Sequence, residues 1–192
     1  MFRFDYLWLK LRAIALLVFG RQKAALAVFD EMVRRWPHDR YVLASRAHAL
    51  AGSGRRDEAI AASAALVQHA PDNAPGWFNH GFMLEEAGRL EEALAAFERA
   101  TALDGKLDRA WYGMGLVLIR LQRFDEAAAA LKRNTELQPM SPYGWYQLAR
   151  VHVDRQQPEE ARKIIRHLRG FEPKVAAQLE RETGLAAGGQ AG

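Results

Sequence analysis

Apolar and small residues fall along this chain at intervals of four and three, and the whole pattern repeats every 34 residues. Five copies run without a gap, over residues 6–39, 40–73, 74–107, 108–141 and 142–175. With positions numbered 1 to 34 inside each copy, position 4 reads Leu9, Leu43, Trp77, Trp111 and Trp145. Position 8 reads Ala13, Ala47, Gly81, Gly115 and Ala149, and position 20 is alanine throughout, at Ala25, Ala59, Ala93, Ala127 and Ala161. Positions 4, 8 and 11 share one stripe of a helix, and positions 20, 24 and 27 share another. The spacing predicts two amphipathic helices per copy, with small residues where helices must approach closely.

The helix ends are marked too. Gly20, Gly54 and Gly88 stand at position 15, where glycine takes the left-handed conformation that closes a helix. Gln122 and Gln156 hold that place in the last two copies, which predicts costlier turns there. Acidic pairs open the second helix at Asp57-Glu58, Glu91-Glu92, Asp125-Glu126 and Glu159-Glu160, offsetting the helix dipole. Position 32 reads Pro37, Pro71, Gly105, Pro139 and Pro173, and proline cannot donate the next helical hydrogen bond.

On these residues the chain resembles the tetratricopeptide-repeat family. Its pattern of tryptophan, glycine, alanine, aromatic residue, a second alanine and proline is followed closely by Trp77, Gly81, Ala93, Phe97 and Ala100 in the third copy, and the fourth is similar, with Trp111, Gly115, Ala127, Leu131 and Pro139. The first two copies depart most, with leucine for tryptophan and Ser63 where an aromatic usually sits. The resemblance covers residues 6–175 and implies an all-α, right-handed α-solenoid of five helical hairpins plus a C-terminal capping helix. The expected organisation is a solenoid over 1–175, the remainder of the capping helix over 176–184, and a mobile tail over 185–192. Terminal solenoid units need such a polar cap, and here Gln178, Glu180, Arg181 and Glu182 are expected to face outward while Val175 and Leu179 pack inward.

Composition adds exclusions. The chain has no cysteine, which removes disulfides, thiolate metal sites and a cysteine nucleophile. Its net charge of +4 lies wholly in residues 1–40, which hold eight Lys or Arg against four acids; the remaining copies balance. A nucleic-acid face needs cations clustered on one surface, so no nucleic-acid partner is expected. Arg162, Lys163, Arg166 and Arg169 do cluster, but Glu159 and Glu160 precede them, which favours a solvated helix face over a contact for an acidic partner. No apolar run approaches the roughly 20 residues that span a bilayer.

The N-terminal helix is apolar almost all round, since between Leu7 and Phe19 it carries only Lys10 and Arg12 as charges. Four readings stay open. Residues 1–6 can fold back as a cap; the helix can dock a partner or a second copy through Phe2, Phe4, Leu7, Trp8 and Leu11; it can rest peripherally on a membrane; or it can be a secretory signal. The in-phase match of Ala13, Gly20 and Ala25 to the repeat favours retention of the segment.

Function in the family resides mainly on the concave face formed by the first helices. The resemblance places Tyr41, Arg109 and Tyr143 there from position 2, Phe78, Tyr112 and Tyr146 from position 5, Asn79 and Gln147 from position 6, and His48, Phe82 and Arg150 from position 9. Tyrosines offer contact area with few rotors to freeze, arginines grip carboxylates and amides bond a peptide backbone. Position 5 aromatics and the position 6 Asn equally suit packing inside the hairpin. The two-carboxylate clamp of chaperone-binding arrays is not expected, because Ala44 and Gly113 occupy two of its basic places and His48 replaces an asparagine.

Catalysis is not expected either. The six histidines lack metal-binding spacing, Glu85 and Glu86 diverge on a helix, and there is no glycine-rich phosphate loop. His80 and His152 fall at inward positions and are expected to be packed and hydrogen-bonded. The reading is a non-catalytic protein-protein interaction scaffold or adaptor, without cofactor or metal, that binds a peptide or helix in the concave groove. The alternative is an assembly factor or complex subunit docked to a membrane or partner through its N-terminal helix. The expected location is cytoplasmic, at a membrane if that helix docks there.

Overall fold

The computed structural model describes residues 2–186, and the side chains of residues 2 and 3 lie outside that description. Among the described residues there are eleven α-helices and no strand: α1 (Phe2–Val18), α2 (Gln22–Arg35), α3 (Arg40–Gly52), α4 (Arg56–His69), α5 (Ala74–Glu86), α6 (Leu90–Leu103), α7 (Asp108–Arg120), α8 (Phe124–Leu137), α9 (Pro142–Asp154), α10 (Pro158–Arg169) and α11 (Pro173–Thr183). The chain divides into two compact units, residues 1–96 and 97–192, with the division inside α6. Most of the tail expected to be mobile, residues 187–192, lies outside the described residues.

One turn recurs inside every hairpin. The residue at position 15 takes a positive φ at Gly20 (70°), Gly54 (75°), Gly88 (76°), Gln122 (59°) and Gln156 (56°). The amide that follows each of them reaches back to close the helix: Arg21 to Leu16 O, Arg55 to Leu50 O, Arg89 to Leu84 O, Arg123 to Leu118 O and Gln157 to His152 O. The two glutamines adopt a conformation in which their Cβ meets the backbone, so the last two turns keep the geometry and carry the strain.

Each unit has its own core. In residues 1–96 it is built on Leu9, Ala13, Ala25, Phe29, Met32, Val42 and Leu50, all buried. In residues 97–186 the largest buried side chains are Phe97, Leu118, Leu131, Ile165, Leu168 and Leu179. Burial of a side chain of this size contributes about 1.5–3 kcal/mol. The alanines at position 20 are all buried, as are the small residues at position 8. A Cβ added at Gly115 would lie 2.6 Å from the Leu131 side chain, and one at Gly113 would lie 2.7 Å from the Phe97 ring.

The tryptophan period has a hydrogen-bond explanation. Each indole N–H donates to the carbonyl six residues earlier: Trp77 to Pro71 O (3.0 Å), Trp111 to Gly105 O (3.1 Å) and Trp145 to Pro139 O (2.9 Å). Those carbonyls sit at position 32, so the tryptophan pins the preceding loop to the helix that follows it. Leu9 and Leu43 bury their side chains at the same position without that bond.

The N-terminal segment does not fold back from Phe2 onward: residues 2–6 continue α1, with Asp5 in the first turn where a carboxylate favours the helix dipole. Tyr6 fastens this turn, its hydroxyl donating to the Asp39 carboxylate (3.2 Å) and its ring meeting Trp36 edge-on at 5.0 Å. Burial, then the nearby Asp39 charge, pushes the Tyr6 phenol up to about 12.

Candidate functional site

In residues 1–96, α3 and α5 bring His48, Asn79 and Phe82 together. They line one pocket of about 250 Å³ with Ala44, Met83 and Glu86. Tyr41 and Phe78 stay out of it. Tyr41 is half-buried on α3 with the Lys10 ammonium 3.9 Å above its ring, and Phe78 is half-buried on α5. Ser63, at the pocket wall, is buried, donates to Ile60 O (2.9 Å) and meets His80 Nδ1 at 2.8 Å. Burial, then the Arg89 charge, lowers the His80 pKa. His80 is thus a packed, hydrogen-bonded histidine, and so is His152, whose Nδ1 lies 2.9 Å from Gln157 Oε1.

In residues 97–186 the grouping is tighter. Tyr112, Tyr143, Tyr146 and Gln147 line a groove of about 470 Å³, and its other wall comes from Val175 and Gln178 of α11 and from Glu172, which caps that helix. Tyr112 and Tyr143 also border a second recess of about 390 Å³ that includes Arg109 and Asn134. Tyr143 is 71% exposed, a large value for a tyrosine at the mouth of an apolar groove. The Tyr146 hydroxyl donates to the Glu182 carboxylate at 2.5 Å, Gln178 donates to the other oxygen of Glu182 at 2.8 Å, and Arg150 lies 3.4 Å from the same hydroxyl. These donors hold the Glu182 carboxyl below the usual range, and the shared proton raises the Tyr146 phenol.

Sequence reasoning missed the part played by α11. Gln178 and Glu182 are exposed, as expected, but that exposed side also serves the groove, while Ala176 and Leu179 are buried and Glu180 pairs with Arg169. The four-residue step from Gln178 to Glu182 puts them on one helical stripe and was the available signal.

The basic run on α10 is largely neutralised: Arg162 pairs with Glu159, Lys163 with Glu160 (2.6 Å) and Arg169 with Glu180 (2.5 Å). Among the described residues no group of three His, Asp or Glu is placed to hold a metal ion. No helix among them is long and apolar enough to cross a membrane. On α1, Phe4, Leu7, Trp8 and Leu11 are all exposed, and the Phe2 side chain lies outside the described residues.

Helical hairpins repeated in phase, with a recurring left-handed turn and a recurring indole tether, define an α-helical repeat protein. Three family models, each described as tetratricopeptide repeat, match residues 45–108, 84–146 and 142–167. Together they take in residues 45–167, and the chain belongs to the tetratricopeptide-repeat family.

Solved structures agree on the fold. MamA from Desulfovibrio magneticus RS-1 is 20% identical over 91% of this chain and 94% of its own, with a TM-score of 0.77. A tetratricopeptide repeat protein from Parabacteroides merdae is 19% identical over 93% of this chain and 73% of its own, with a TM-score of 0.80. YrrB, described as a TPR protein with an unusual peptide-binding site, is 18% identical over 88% of each chain, with a TM-score of 0.75. At these identities the likeness is one of fold. No curated protein matches the sequence.

Proposed function

We propose that this chain is a non-catalytic interaction scaffold that holds an extended peptide or a short helix against the first-helix face of its repeats, anchored in the tyrosine groove of residues 97–186. The family's general role in protein interaction and the peptide-binding site described for YrrB support this reading. The observation that carries it is the convergence of Tyr112, Tyr143 and Tyr146 on one groove of about 470 Å³, bordered by Gln147 and closed by α11. Tyrosine rings supply rigid contact area while their hydroxyls and the Gln147 amide satisfy a ligand backbone. In residues 1–96, His48, Asn79 and Phe82 offer a smaller recess for a further side chain.

The groove also indicates a ligand charge. Glu182 already places a carboxylate against Tyr146 and beside Arg150, so an acidic ligand residue has donors waiting if it displaces Glu182. The test is selection of peptides from a random library on the immobilised full chain, followed by affinity measurement. Selected peptides should be enriched in acidic and apolar residues, and the Tyr112→Ala, Tyr146→Ala and Arg150→Ala variants should each weaken binding about tenfold or more. Peptides that bind all three variants as well as the wild type would place recognition elsewhere.

A second reading, docking to a membrane or to a partner through α1, is favoured by the exposed apolar face of that helix, where Phe4 and Val18 are each 75% exposed.

A further inference from the structure

Helix α1 has two apolar faces. Leu9 and Ala13 are buried, with Tyr6, Leu16 and Leu17 packed beside them, which uses one face inside the hairpin core. On the opposite face Phe4, Leu7, Trp8, Leu11, Ile14 and Val18 are exposed, and Phe19 continues the stripe at 79% exposure. Phe4, Trp8, Leu11, Ala15 and Val18 follow intervals of four, three, four and three, the spacing of a seam between two helices.

The stripe is symmetric about Leu11. When a copy of the helix is laid antiparallel on it, Phe4 falls level with Val18, Leu7 with Ala15, Trp8 with Ile14, and Leu11 with itself. Large side chains then face smaller ones, as an interdigitated seam requires. A self-complementary patch of this kind is what a two-fold dimer uses.

The charges select the same arrangement. Each other hairpin opens its second helix with two acids, but the first has Lys23 and Ala24 in those places. Arg55, Arg89 and Arg123 each pair with a glutamate three residues on, whereas Arg21, at the equivalent position, makes no ion pair among the described residues. A cation in the first turn opposes the helix dipole, so Lys23 weakens α2 locally. The result is a basic end of the stripe, at Arg21 and Lys23, and a mixed-charge end, where Asp5 and the Glu31–Arg35 ion pair border Phe4 and Trp8. An antiparallel copy brings Asp5 toward Arg21 and Lys23, whereas a parallel copy sets those two cations on their own counterparts. Of the two cations near the middle, Lys10 is drawn off the seam onto the Tyr41 ring, while Arg12 lies over the seam residue Trp8, 5.3 Å from its ring.

We infer that α1 pairs antiparallel with α1 of a second copy of this chain, making a two-fold dimer centred on Leu11. The inference rests on the reading of α1 as a docking helix and fixes its occupant.

The absence of native cysteine makes the test direct. In the full chain, Leu11→Cys should form a disulfide-linked dimer on mild oxidation. Phe4→Cys and Val18→Cys should not link singly, because like positions lie about 21 Å apart in the pair, yet should link when mixed. Leu11→Glu should shift sedimentation to monomer, raising the dimer Kd about tenfold or more with helicity unchanged. Efficient linking of Phe4→Cys alone, or a monomer at every concentration, would overturn the pairing. In the second case, flotation with phosphatidylglycerol vesicles that is lost in Leu11→Glu would leave α1 a docking helix with lipid as its occupant, and no flotation would end that reading too.

Discussion

Two contacts at equivalent places in the two units are solved with opposite side chains. In residues 97–186 the large Phe97 ring fills the space and Gly113 opposite it gives way, a Cβ there being 2.7 Å from the ring. In residues 1–96 the equivalent of Phe97 is the small, buried Ser63, which borders the pocket of about 250 Å³ and is held instead by a 2.8 Å hydrogen bond to His80, one residue beyond the equivalent of Gly113. One place is closed by an apolar ring needing no partner, and the other keeps a recess beside a polar pair. The repeat thus fixes backbone spacing while leaving each contact's volume and chemistry free.

The contrast is broken most severely at Phe97. Phe97→Ala leaves a ring-sized cavity that Gly113 cannot fill, and urea unfolding should show a loss of about 3–5 kcal/mol. Ser63→Ala removes one hydroxyl and strands one histidine nitrogen, so its loss should be about 1–3 kcal/mol. Equal losses would show that the packed ring and the polar pair hold their hairpins equally.

The indole tether gives a second, smaller test. Trp111→Leu copies the leucine found naturally at Leu9 and Leu43, and removes both buried area and the bond to Gly105 O. A loss of about 1–3 kcal/mol is expected, with thermal unfolding as the readout. Leu43 lacks the bond from the outset, so Leu43→Ala should cost only its share of burial, with no carbonyl left unpaired.

Next in size are the turns. Gln122→Gly and Gln156→Gly relieve a left-handed residue but loosen the unfolded chain, so each should stabilise by roughly 0.5–1 kcal/mol. Gly88→Gln, which imports the strain, should lose a similar amount. The midpoint of denaturant unfolding measures all three.

The repeat was legible because its signals are periodic: tryptophan, alanine and the position 15 residue each recur at a spacing set by helix geometry. Even the glutamines at 122 and 156 were readable as left-handed, since the phase demanded it. The site was legible only in part. Placing Tyr112, Tyr143 and Tyr146 on the first helices follows from repeat position, but their closure by α11 depends on Glu182, 36 residues beyond Tyr146 and outside the periodic region. Lys10 on Tyr41 is similar, because nothing periodic links a lysine of the first helix to a tyrosine of the third. Non-periodic contacts are set by packing, and sequence spacing carries no record of them.

The smallest effect is the pH dependence of the polar contact, and its sign follows from His80. Burial and the Arg89 charge lower its folded pKa below the ordinary value of 6.5, with Glu92 opposing. The unfolded chain therefore binds the extra proton first as pH falls. The stability held in the neutral imidazole is fully present above that ordinary value and is lost as pH falls through it toward the folded value. The contribution of His80 is isolated by difference between the wild type and a variant without the imidazole. His80→Gln keeps a side chain able to bond Ser63 and does not titrate. Unfolding midpoints measured from about pH 7.5 down to about pH 5 should fall more steeply for the wild type than for His80→Gln, whereas parallel curves would mean that the histidine protonates without disturbing Ser63. The Phe97–Gly113 contact has no titrating group, so the Phe97→Ala loss should be the same across this range.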